Sequence, residues 1–85
     1  MKVRVLYFAS VREKVGKDAE EIDLPAGVAT VAALRSYLRN GGGVYEGVFS
    51  ENILLRAAVN QDMVQPTAAI KAGDEIAFFP PVTGG

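Results

Sequence analysis

At 85 residues the chain has room for one domain, close to the size at which only about 60% of the unfolded surface is buried, so its core must be economical. Apolar residues make up 49% and charged residues 22%, an ordinary globular composition, and the net charge of -1 gives neither nucleic acid nor an anionic membrane anything to hold. The absence of Cys and His excludes disulfides, thiol nucleophiles and thiolate metal sites, and removes the commonest general base, which argues against a self-contained enzyme.

"MKVRVLYFAS" alternates charged and apolar residues and holds no stretch of signal-peptide length. With no segment near the ~20 apolar residues of a membrane span, the expected location is the cytoplasm. Val3, Val5 and Tyr7 recur with the period of two that marks a strand, over about Lys2 to Phe8. "SVREKVG" then predicts a short helix, with Ser10 as N-cap, Glu13 three residues on and a stop at Gly16. "AEEIDLP" reads as an edge strand ended by Pro25, antiparallel to the first because the connection is short.

Thr30 opens the main helix, in which Val31, Leu34 and Leu38 share one face until Asn40-Gly41 ends it. "GGGVYEGVFSEN" predicts a glycine-rich connector and a helical turn that points Tyr45, Val48 and Phe49 inward. The triple glycine lacks the Gly-Lys-Ser/Thr of a phosphate loop and follows a helix rather than a strand. "ILLRAAVN" predicts a strand, Asn60 to Asp62 a turn, Met63-Val64 a brief extended segment, and "KAGDEIAFF" a turn at Ala72 to Asp74 before a last strand from Glu75 to Phe79. Strands that outnumber the helices without alternating with them predict an α+β domain of the β-grasp pattern, a mixed four- or five-stranded sheet on one main helix with short extra helical turns.

Few side chains suggest chemistry. Glu13, Asp18, Glu20, Glu21, Asp23, Asp74 and Glu75 fall at turns and on alternating strand positions expected to be solvated. Lys2, Arg4, Arg35, Arg39 and Arg56 read as salt-bridging and solubilising residues. The aromatics say more: of the adjacent Phe78 and Phe79 only one can face the core, which leaves the other beside two prolines as a candidate interface. The ending "FFPPVTGG" then divides the chain into a domain over 1–79 and an extended tail over 80–85. Pro80 and Pro81 offer no N–H donors and favour extended backbone, while Gly84 and Gly85 have no Cβ and can thread a narrow channel. The reactive group of such an arm is the α-carboxylate of Gly85, which a separate enzyme makes reactive by ATP-dependent adenylation.

"VLYFASVREKVG", "LLRAAVNQDMV" and above all "GDEIAFFPPVTGG" resemble the MoaD family, the small sulfur-carrying subunits of molybdopterin synthase within the ubiquitin-like β-grasp proteins. The likeness spans the chain and is weakest over Asn40 to Ser50. It implies that Gly85 is adenylated by an ATP-dependent enzyme and converted to a thiocarboxylate by a sulfur donor. The tail, with Pro80, Pro81, Val82, Thr83 and Gly84, is then inserted into the synthase's large subunit to give sulfur to a cyclic pyranopterin precursor of molybdenum cofactor. The family's apolar docking patch matches Phe8, Met63 and Phe79; its assembly is a heterotetramer, and no cofactor is bound by the carrier itself. Readings left open are a sulfur carrier for thiamine, cysteine or tRNA thiolation, a ubiquitin-like protein modifier, and a plain binding module.

Overall fold

The computed structural model describes residues 1–81. Its elements in chain order are β1 (Lys2–Tyr7), α1 (Ala9–Val15), β2 (Ala19–Asp23), α2 (Val31–Arg39), α3 (Val44–Val48), β3 (Arg56–Val59), β4 (Asp62–Val64) and β5 (Glu75–Phe79). The sheet is five-stranded in the order β2-β1-β5-β3-β4, so the first and last strands meet at its centre. They pair in parallel with Val5 opposite Ile76 and Tyr7 opposite Phe78, while β2, β3 and β4 join antiparallel. This is the mixed α+β sheet that the sequence predicts, with β2 on one edge.

Period-two alternation divides the sheet into two faces. Val3, Val5, Tyr7, Ile76 and Phe78 point to the helices and are all but inaccessible, joined there by Val31, Leu34 and Leu38 of α2. Thr30 caps α2 as expected, its hydroxyl accepting from the Ala33 amide at 3.1 Å. Phe49, just past α3, is fully buried and lies against three rings: Phe78 edge-on at 5.3 Å, and Tyr7 and Tyr45 at 6.2 Å each. The backbone reaches α3 through positive φ at Gly42 and Gly43, a conformation that side chains disfavour, which accounts for two of the three consecutive glycines.

Several expectations need correction. β1 ends at Tyr7, and Ser10 does not cap α1: the N-cap position is Phe8, whose carbonyl receives the amides of Val11 and Arg12. The chain turns at Ala9, held at φ 51°, one residue before the hydroxyl could serve. The strand expected from Ile53 begins only at Arg56, because the Ile53 carbonyl is taken by Arg35. That guanidinium also donates to the carbonyls of Phe49 and Ser50, so Arg35 is a clamp on the segment after α3 and not a solubilising residue. Asp62 belongs to β4, since the hairpin turns on Asn60 and Gln61, both at positive φ as a two-residue type I′ turn requires.

Two of the carboxylates expected in solvent are each held by several hydrogen-bond donors. Glu20 accepts from the hydroxyls of Tyr7 and Tyr45 on the same oxygen, each at 2.7 Å, and from Lys17 at 3.3 Å on the other. Asp74 is buried and accepts from the Lys71 amide at 2.9 Å and Asn60 Nδ2 at 3.0 Å, with the Lys71 ammonium at 3.2 Å. Asn60 returns the contact by accepting from the Glu75 amide, which clasps the β3–β4 turn to the start of β5. Burial pushes the Asp74 carboxyl up, but the Lys71 amide, Asn60 and the Lys71 ammonium together hold it below the usual carboxylate range.

Because the folded pKa of Asp74 lies below its unfolded value, its contribution is complete above the unfolded range of about 4 and is lost as pH falls through the folded value. Asp74→Asn is therefore expected to cost about 1–3 kcal/mol at neutral pH and to flatten the acid limb of the stability profile. Urea unfolding of both proteins from neutral to acid pH checks this. Equal stability of the two at neutral pH would show that the clasp contributes nothing.

Candidate functional site

The face of the sheet turned away from the helices carries the candidate site. On the strand registers, Leu6, Ala77, Ala58 and Met63 form one row across β1, β5, β3 and β4, and Phe79 and Arg56 belong to the next. Phe8 continues β1 beside Phe79 because its own backbone stays extended and the turn falls at Ala9. A left-handed φ at a non-glycine residue costs on the order of 1 kcal/mol, and here it keeps an aromatic ring on the outer face.

Phe8, Ala9, Leu6, Ala58, Ala77, Met63, Phe79, Pro80 and Pro81 line one hollow on this face. Ala58 and Ala77 are its floor, and their small side chains leave the depression that larger residues would fill. Phe8 is 46% exposed and Met63 58%, whereas Phe79, Pro80 and Pro81 are half-buried against their neighbours. The neighbouring Phe78 is only 1% exposed. Of the two adjacent aromatics the structure thus sends Phe78 to the core and Phe79 outward, as the pleat demands.

The structure brings Phe8, Met63, Phe79, Pro80 and Pro81 together at the root of the tail. Val82, Thr83, Gly84 and Gly85 lie outside the described residues. The alanine floor and Leu6 were not singled out from sequence, although Ala77 and Phe79 have the same parity in "EIAFF", which is the signal that they share a face. The rim opposite the tail is polar, with Arg4 paired to Glu75 at 3.9 Å. Among the described residues no group of three His, Cys, Asp or Glu is placed to hold a metal ion, and no helix is long and apolar enough to cross a membrane.

A helix-backed mixed sheet whose parallel central strands end in an apolar face beside the tail is a ubiquitin-like β-grasp domain. The ThiS family model matches residues 5–85, and the chain belongs to that family. The molybdopterin synthase sulfur carrier subunit of Escherichia coli K12 is 46% identical over 98% of this chain and 99% of its own length. That of Haemophilus influenzae is 45% identical over the same shares. A Pyrococcus furiosus structure provisionally assigned as molybdopterin converting factor subunit 1 superposes with a TM-score of 0.79 at 35% identity, covering 96% of this chain and 99% of that one. A chain in a Helicobacter pylori complex of molybdopterin-converting factor subunits 1 and 2 shares the fold, with a TM-score of 0.65 at 23% identity over the whole of both chains.

The two adjacent phenylalanines are expected to separate stability from association. Phe78→Ala should cost about 3–5 kcal/mol, the usual cost of emptying an aromatic core position. Phe79→Ala should keep a cooperative unfolding transition and lose affinity for a partner that covers the hollow. Thermal unfolding of both variants, with a binding titration of the second, makes the comparison. Loss of cooperative unfolding in Phe79→Ala would place that ring in the core.

Proposed function

We propose that this chain is the sulfur-carrier subunit of a molybdopterin synthase. The observation that carries the reading is the continuous apolar surface from Met63 through Phe79 to Pro80 and Pro81, in a chain 46% identical to a curated sulfur carrier subunit over nearly its full length. That surface is the docking face for the large subunit, with Phe8, Met63 and Phe79 as anchors. The prolines give the chain leaving it no free amide to return to the sheet, which favours an arm over a further strand.

Chemistry is confined to the arm's end. Adenylation at the Gly85 carboxylate by an ATP-dependent enzyme turns a carboxylate oxygen into a leaving group, and a sulfur donor then displaces adenylate to leave a thiocarboxylate. The thiocarboxylate donates its sulfur to a cyclic pyranopterin precursor held by the large subunit, with the pair assembled as a heterotetramer in the cytoplasm. A chain without Cys or His suits this role, because activation and acid–base chemistry reside in the partners.

Removing Gly85 is expected to abolish sulfur transfer and leave stability within about 0.5 kcal/mol of the parent, since a glycine has no side chain to contribute to the core. The truncated arm is shorter by about 3.3 Å, far beyond the positional tolerance of about 0.5 Å for a reacting group. Intact-mass analysis after incubation with the host's adenylating enzyme, ATP and sulfur donor reads the oxygen-to-sulfur exchange directly. Complementation of a strain lacking the small subunit reads the pathway. Full molybdenum-cofactor synthesis by the truncated chain would overturn the carrier mechanism.

A further inference from the structure

Arg56 stands apart from the other arginines. Arg4, Arg12 and Arg39 each lie within 4 Å of a carboxylate, on Glu75, Asp18 and Glu51, and Arg35 is occupied by three carbonyls. Arg56 is exposed and has no ionic or hydrogen-bonded side-chain partner among the described residues. It is also the cross-strand neighbour of Phe79, on the outer face at the root of the tail. On its other side it lines a groove with Leu54 and Met63, and Met63 borders the hollow as well. Among the described residues, then, no charge or acceptor meets a guanidinium that sits between two apolar surfaces.

A partner that covers Phe79 and Met63 must also strip water from Arg56. Desolvating an unpaired cation is costly, and the cost disappears only if an anion meets it. Among the described residues, the carboxylate that shares the groove with Arg56, Glu51, is paired with Arg39. The geometry points to Arg56 as the residue through which this face selects its partner, by engaging a carboxylate that the docking protein carries among apolar side chains. The planar guanidinium favours a two-point contact with a carboxylate, which an ammonium cannot reproduce. Proteins that match the hollow in shape but lack the acid are rejected by the buried charge. This inference rests on the outer face being the docking face for the large subunit.

The test is calorimetric titration of the full-length chain with the host's large subunit at low and moderate salt, comparing the parent with Arg56→Ala, Arg56→Lys, Arg56→Glu, Phe79→Ala and Lys14→Ala. Arg56→Ala is expected to weaken binding by at least about tenfold, with an unchanged unfolding midpoint and a flatter salt dependence than the parent. Arg56→Lys should recover part of the loss, Arg56→Glu should lose more, and Lys14→Ala should bind as the parent. Parent-like affinity of Arg56→Glu overturns the inference. If Phe79→Ala is weakened in that same experiment, the docking face stands and only the role of Arg56 fails. If neither variant is weakened, the docking face itself is wrong.

Discussion

Everything at the candidate site depends on the parallel pairing of β1 with β5 at the centre of the sheet. That pairing joins residues at opposite ends of the chain, and its register places Tyr7 opposite Phe78. Because side chains alternate, the same register sets Phe8 and Phe79 side by side on the other face. A slip of one residue would drive Phe79 into the helices and Phe78 into solvent, and would dismantle core and candidate docking surface together. The burial of Val5 and Ile76, both fully inaccessible, guards against it.

A domain this small cannot rely on apolar area alone, and its irregular segments are held by side chains that satisfy particular backbone or polar groups. Arg35 gathers the carbonyls after α3, Asn60 and Asp74 join the β3–β4 turn to β5, and Glu20 joins Tyr7 of β1 to Tyr45 of α3. Among the described residues no buried side-chain nitrogen or oxygen lacks a partner. These ties all lie on the helix side or at the sheet's lower end, which leaves the outer face free of structural duty. Phe49 shows the same economy: one residue outside regular structure supplies the ring on which Tyr7, Tyr45 and Phe78 converge.

The separation of faces fits the proposed chemistry. A carrier that must be recognised by an adenylating enzyme, a sulfur donor and a synthase subunit needs one stable scaffold and one reusable surface. In that proposal apolar anchors at Phe8, Met63 and Phe79 supply area and Arg56 supplies discrimination, since apolar contact alone distinguishes similar partners poorly. In the proposed mechanism the reacting atom belongs to Gly85, a residue with no side chain to place in the core.

The amino-acid sequence by itself determined the secondary elements with strong local signals: the alternating β1, the last strand β5 after its turn, the Thr30-capped α2 and the Gly16 stop. It also determined which of two neighbouring phenylalanines faces out once the core face of β5 is known, because alternation is a local rule. The capping of α1, the start of β3 and the burial of Asp74 were decided only in three dimensions. Ser10 matches a cap motif but loses to the turn at Ala9, and Ile53 belongs to an apolar run but loses its carbonyl to an arginine 18 residues earlier. The hollow was least legible of all. Its floor is two alanines on different strands, Ala58 and Ala77, which are unremarkable in the chain and become a surface only when β3 and β5 bring them opposite each other. Local rules act over a few residues, whereas a docking face is assembled from strands whose neighbours in space are far apart in sequence.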